Sequence, residues 1–141
     1  MSQQILVPYD GSPPSKKALE YTFETFPDAN VSALYVVPAP EGYWAAFEDP
    51  EERIPNADKA QDRGRDILDE ATEIAAEHDR ELDTGFELGQ PDHVIVEKAA
   101  DEQYDTIVIG SHGREGISRI LLGSVAEKVV RRSPTPVVVV R

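Results

Sequence analysis

Short aliphatic runs alternate along this chain with stretches whose apolar residues recur every three to four positions, and that alternation leaves few folds open. The runs are Ile5 to Asp10, Val31 to Val37, Thr106 to Ile109 and Thr135 to Val140, and Glu81 to Leu88 alternates as a further strand. Between the first two, Ser12 followed by Pro13 is a good helix start, and Ala18, Leu19, Thr22, Phe23 and Phe26 form its apolar face. From about Ala57 to His78 the spacing of Ala60, Gly64, Ile67, Leu68, Ala71, Ile74 and Ala75 is again helical. Gly89-Gln90-Pro91 turns the chain into a helix carrying Val94, Ile95 and Ala99, and a last helix follows Gly123. The order is β-α-β-α-β-α-β-α-β. Nearly continuous apolar strands in that order predict an α/β fold, a doubly wound parallel sheet with helices on both faces.

The 141 residues suit one compact domain spanning the chain. No window approaches eighteen consecutive apolar residues, and the start MSQQILVPYDGS has neither a basic region nor an apolar signal core, so a soluble, cytoplasmic protein is expected. There is no cysteine, which excludes disulfides, thiolate metal sites and cysteine nucleophiles. The net charge of −13 would repel nucleic acid and anionic lipid. It suits either an ordinary acidic protein or one adapted to a high-salt cytoplasm, where screening removes self-repulsion.

The acidic outer face of the second helix carries like charges four residues apart. They are Asp62/Asp66, Asp66/Glu70, Asp69/Glu73, Glu73/Glu77 and Glu77/Glu81. Ahead of this helix, Pro38, Pro40, Gly42, Pro50 and Pro55 predict a broken connection of roughly twenty residues. Its Tyr43, Trp44 and Phe47 fit either a tuck against the body or a lid over a ligand.

In a doubly wound sheet, ligands bind beyond the carboxyl ends of the strands, where the winding reverses. Two loops stand out there. One is Pro8-Tyr9-Asp10-Gly11-Ser12 after strand one, and the other begins at Gly110 after strand four and runs through GSHGREGISRILLGSVAEKVV. If strands one and four are neighbours, these loops face one another. A glycine loop exposes successive backbone N–H groups, and a helix start adds partial positive charge, which together make an anion cradle. Local charge agrees: Arg114, Arg119, Lys128, Arg131 and Arg132 outnumber Glu115 and Glu127 in this segment.

A second account of the same residues needs no ligand. Ser124-Val-Ala-Glu127 reads as a capping box, in which serine and glutamate satisfy each other's orphan amides, and Arg131 and Arg132 sit where a helix dipole favours cations. Neither the Walker spacing nor Gly-x-Gly-x-x-Gly is present, which removes the generic NTPase and dehydrogenase readings. His78, His93 and His112 lack metal-ligand spacing. Asp10 stands alone, without the acidic cluster or the lysine after strand five that a phosphate-accepting receiver domain would need.

The spacing Gly110-x2-Gly113-x9-Gly123-Ser124, followed by VAEKVVRRSPTPVVVV and preceded by a first strand ending in Pro-Tyr-Asp-Gly-Ser, resembles the universal stress protein family in its nucleotide-binding branch. The resemblance runs along essentially the whole chain. It implies strand order 3-2-1-4-5, a homodimer, and ATP, with magnesium as an optional companion ion, in the crevice between strands one and four. It assigns adenosine contacts to Asp10, in the loop opened by Pro8, and to Val36 or Val37. Ribose and phosphate contacts fall on Gly110, His112, Gly113, Gly123, Ser124 and Val125, with His112 matched by position only. The implied role is a nucleotide-dependent regulatory or interaction module in stress response. The alternative is a slow ATP hydrolase or a phosphoryl- or nucleotidyl-transfer enzyme of the same fold; no catalytic residue is assigned.

The ending Pro136-Val137-Val138-Val139-Val140 carries one more expectation. A final strand beside strand four would lie at the sheet edge with one row of backbone groups unpaired, and the chain stops at Arg141 with nothing left to cover it. Meeting its own copy across a two-fold axis would bury the valines.

Overall fold

A computed structural model describes residues 3–38, 50–112 and 122–141. The elements are β1 (Gln4–Pro8), α1 (Pro13–Thr25), β2 (Asn30–Pro38), α2 (Pro50–Glu77), β3 (Asp83–Gly89), α3 (Pro91–Asp101), β4 (Thr106–Gly110), α4 (Ser124–Arg132) and β5 (Val137–Val140). The strands form one five-stranded sheet in the order β3-β2-β1-β4-β5. Every pair is parallel, with Leu6 opposite Ser32 on one side and Ile107 on the other.

Successive side chains of a strand point to opposite faces, and here both faces are covered. Ile5, Val7, Val31, Ala33, Tyr35 and Val108 point toward α1 and α2, where they pack with Leu19, Phe23, Ile67 and Ala71. Leu6, Leu34, Val36, Ile107 and Ile109 point the other way and pack with Val94, Ile95, Ala126 and Val129 of α3 and α4. This is why the inner strands β1, β2 and β4 are nearly continuous apolar runs. A strand with one wet face would alternate.

The predicted start of α1 is formed as expected. The Ser12 hydroxyl accepts a hydrogen bond from the Ser15 amide at 3.3 Å, and proline occupies the first helical position. Helix α2 departs from the prediction by beginning at Pro50 rather than about Ala57, with Pro55 inside it. Proline's fixed φ suits the first helical position, where Pro50 stands and the N–H would have no intrahelical partner, whereas Pro55 lies one turn further in and gives up one helical hydrogen bond. Tyr43, Trp44 and Phe47 lie outside the described residues.

Because α2 ends at Glu77, and Asp79 turns with φ 54°, Glu77 and Glu81 are not a helical pair. The other four like-charged pairs stand on the helix, with Glu70 also held by Lys16 at 2.7 Å. Unscreened, such pairs cost roughly 0.2–0.5 kcal/mol each. The melting temperature is therefore expected to climb by several degrees between low and molar KCl. A flat melting curve series would show that these repulsions do not limit stability.

Arg80, just beyond α2, does work that no sequence pattern announces. Its guanidinium donates to the carbonyl oxygens of Phe23 at 3.1 Å, Phe26 at 3.2 Å and Ala29 at 2.8 Å, and lies 5.2 Å from the Phe23 ring centre. These carbonyls include the orphan acceptors at the end of α1. Arg80→Ala is expected to cost about 1–3 kcal/mol in urea unfolding. Lysine should rescue little, because one ammonium cannot reproduce the planar fork.

Candidate functional site

The carboxyl ends of β1 and β4 lie side by side, and beyond them opens a cavity of about 380 Å³. Such a volume lies within the ordinary range of small-ligand sites. Of the sequence-assigned residues, Pro8, Asp10, Val36, Gly110, His112, Gly123, Ser124 and Val125 all line it. Val37 does not. Strand alternation turns it to the opposite face, against the α1/α2 core. Gly113, Arg114, Glu115 and Arg119 lie outside the described residues.

Gly110 and Gly123 are needed for close approach within the protein itself. A Cβ on Gly110 would stand 2.7 Å from the carbonyl carbon of Pro14, because the end of β4 runs directly against the first turn of α1. A Cβ on Gly123 would stand 3.0 Å from His112 Cα and 3.3 Å from the Ser111 oxygen. The Gly123 amide donates to that same oxygen at 2.7 Å. The two ends of the glycine loop are thus closed on each other by bare backbone.

The capping box expected at Ser124 is not formed. Gly123 is the N-cap of α4 and Ser124 the first helical residue. The Glu127 amide bonds the Gly123 carbonyl at 2.9 Å, while the Glu127 carboxylate pairs with Arg131 at 2.8 Å. Docking Gly123 on Ser111 moves the cap one residue forward, out of the serine's reach. The amides of Ser124, Val125 and Ala126 are left without intrahelical partners, as in the first turn of any helix, and these residues line the cavity.

Helix α1 also starts at the cavity but offers no such donors. Asp10 Oδ1 accepts from the Ser12 amide at 2.9 Å, Pro13 and Pro14 have no N–H, and the Ser15 amide is taken by the Ser12 hydroxyl. Of these two helix starts at the cavity, only that of α4 offers amides without intrahelical partners. The floor between β2 and α3 is apolar, built from Leu34, Val36, Pro91 and Ile95, and suits a flat uncharged group. Asp10 is the one carboxylate among the described lining residues, and it fits a hydroxyl or amino donor rather than a phosphate.

Sequence reasoning missed Leu34, Pro91 and Ile95. Pro91 was read only as a turn and Ile95 only as core, since nothing local shows that α3 reaches the crevice. Among the described residues no group of three or more metal-ligating side chains is assembled, and no helix is long and apolar enough to cross a membrane.

Comparison with known proteins identifies relatives along the whole chain. Universal stress protein MJ0531 of Methanocaldococcus jannaschii is 34% identical over an alignment covering 99% of this chain and 82% of its own. The solved structure of MJ0577 from the same organism superposes with a TM-score of 0.82 at 30% identity, covering 99% and 96% of the two chains. A universal stress protein solved in complex with cAMP superposes with a TM-score of 0.66 at 26% identity, covering 99% and 96%. Residues 1–141 match the sequence profile described as the universal stress protein family, and the chain belongs to that family.

Proposed function

We propose that the crevice between β1 and β4 binds an adenine nucleotide, with ATP as the physiological ligand, and that occupancy regulates the protein's contacts in a stress response. The observation that carries this reading is the pairing, in one cavity, of an apolar floor with the uncapped amides of α4. The floor takes the base, Asp10 faces the sugar or base donors, and Gly110, Gly123, Ser124 and Val125 surround the phosphates. Gly113, by family resemblance, joins them. The cAMP complex of a relative supports a nucleotide as the ligand class. Native mass analysis of the purified protein should find an adenine nucleotide at near-stoichiometric occupancy. Absence of any nucleotide, together with no ATP binding at millimolar concentration, would overturn the reading. In single-turnover incubation, labelled ATP should stay essentially intact over the residence time of the complex.

The assembly we assign is a homodimer through β5. On one side β5 pairs with β4, and all four of its valines keep part of their surface exposed. An isologous contact would bury them. Val138→Lys should then give monomers or unfolded protein, by placing an uncompensated charge in the contact. Sedimentation of wild-type protein as a monomer at micromolar concentration in high salt would remove the dimer.

A further inference from the structure

We infer that Glu70, on α2 and outside the crevice, positions Asp10 through Tyr9 and so sets how strongly the site selects for the hydroxyls of a nucleotide's ribose. This rests on the nucleotide reading above and deepens it, by naming positioning residues that act from behind the cavity wall.

The sheet order gives Asp10 its target. Strand β1 lies between β2 and β4. The apolar floor adjoins β2, the uncapped amides of α4 stand where Gly123 docks on Ser111 just past β4, and Asp10 follows β1 between the two. In a nucleotide the sugar joins base to phosphate. A carboxylate at this middle place therefore meets the ribose hydroxyls, whose hydrogen bonds it can accept.

The segment bearing Asp10 is tied on both sides to one oxygen atom. Tyr9, the residue before Asp10, points with Ile5 and Val7 into the layer of α1 and α2 and is 1% exposed. Its hydroxyl donates to Glu70 Oε1 at 3.4 Å, and its amide donates to the Leu34 carbonyl at 2.8 Å. Lys16 of α1 reaches the same Oε1 at 2.7 Å, while its amide donates to the Ser12 carbonyl at 3.0 Å. Between these anchors the chain turns at Gly11, with φ 80°, and the Ser12 amide donates to Asp10 Oδ1 at 2.9 Å. Asp10 thus stands on a short turn whose entry and exit are both held by α2.

As an ion pair alone, Lys16 and Glu70 would contribute little, because both side chains are about two-fifths exposed and such surface pairs are weak. The buried phenol changes that account. Its hydroxyl has lost water and depends on protein acceptors, and Lys16 holds the Glu70 carboxylate where the hydroxyl reaches it. Removing the carboxylate takes an acceptor from the phenol, and a shift of the ring toward another moves the neighbouring Asp10. Hydrogen bonds to ribose hydroxyls depend steeply on distance and angle, so a small displacement weakens them. The floor and the α4 amides are held by other elements and keep their places.

Isothermal titration with ATP and with dideoxy-ATP, which lacks both ribose hydroxyls, in one buffer reads this selection directly. Wild type should bind ATP about tenfold more tightly than the dideoxy analogue. In Glu70→Ala and in Tyr9→Phe that ratio should fall to about twofold, because the loss falls mainly on ATP. Glu70→Gln, which keeps an oxygen acceptor for the phenol, should retain most of the ratio. Circular dichroism checks folding, and the part-exposed Glu70 carries the test should Tyr9→Phe not fold. Equal weakening of both ligands, an unchanged ratio in Glu70→Ala, or a wild type that binds both alike would overturn the inference while leaving nucleotide binding intact. Failure of wild type to bind either ligand would instead remove the nucleotide reading, and this inference with it.

Discussion

Replacing Gly123 with valine is expected to abolish ATP binding, with affinity falling by at least about a hundredfold, in a protein that still folds. The cause begins inside the protein. The first side-chain atom alone would lie 3.0 Å from His112 Cα and 3.2 Å from His112 Cβ, close enough that His112 must give by a few tenths of an ångström, and the two methyl groups beyond it need further room. The loop ends must separate, which breaks the 2.7 Å bond from Gly123 to Ser111 and turns the first amides of α4 away from the cavity. Valine is also a poor N-cap, so about 1 kcal/mol of helix stability goes as well. Alanine should give a smaller loss, of about tenfold. Equilibrium dialysis with labelled ATP measures affinity, and circular dichroism checks the fold. Unchanged affinity in a folded Gly123→Val protein would show that loop closure does not shape the site.

Gly110→Ala should act mainly on stability. An alanine Cβ would meet three atoms of Pro14 within 2.9 Å, two of them main-chain atoms of the first turn of α1. Backbone in a helix cannot swing aside as a side-chain tip can. The end of β4 and the start of α1 would have to part, opening the core where Val108 and Ala18 are fully buried. Overpacking of this kind costs typically 1–3 kcal/mol, and contact with fixed backbone puts the expectation near about 3 kcal/mol. That is a large share of a typical domain's stability. Urea unfolding of the variant beside wild type measures it. A loss below about 0.5 kcal/mol would mean that the two elements are free to shift.

The contrast between Ser12 and Ser124 shows what local sequence can decide. Both precede helices and both read as caps. Ser12 is one, because its partner amide lies three residues away and Asp10 and Pro13 shape the turn from within the same short segment. Ser124 is not, because Gly123 is drawn onto Ser111, a residue distant in the sequence, and the helix starts around that contact. The same division separates Val36 from Val37. Alternation along a strand shows that they face opposite ways, but only the packing of α1, α2 and α3 shows which of those ways is the cavity.

The sequence by itself determined the element order and the parallel sheet covered on both faces. Each of these follows from residue periods and turn chemistry that act over a few positions. Its family likeness supplied the strand order and the eight lining residues found at the cavity. Tertiary structure decided the rest: the one-residue shift of the α4 cap, the Arg80 clasp on the end of α1, and the entry of Pro91 and Ile95 into the site. Those depend on backbone and side chains that meet across many residues of chain. A periodic pattern records which face of an element is apolar, but not which distant atom will press against it.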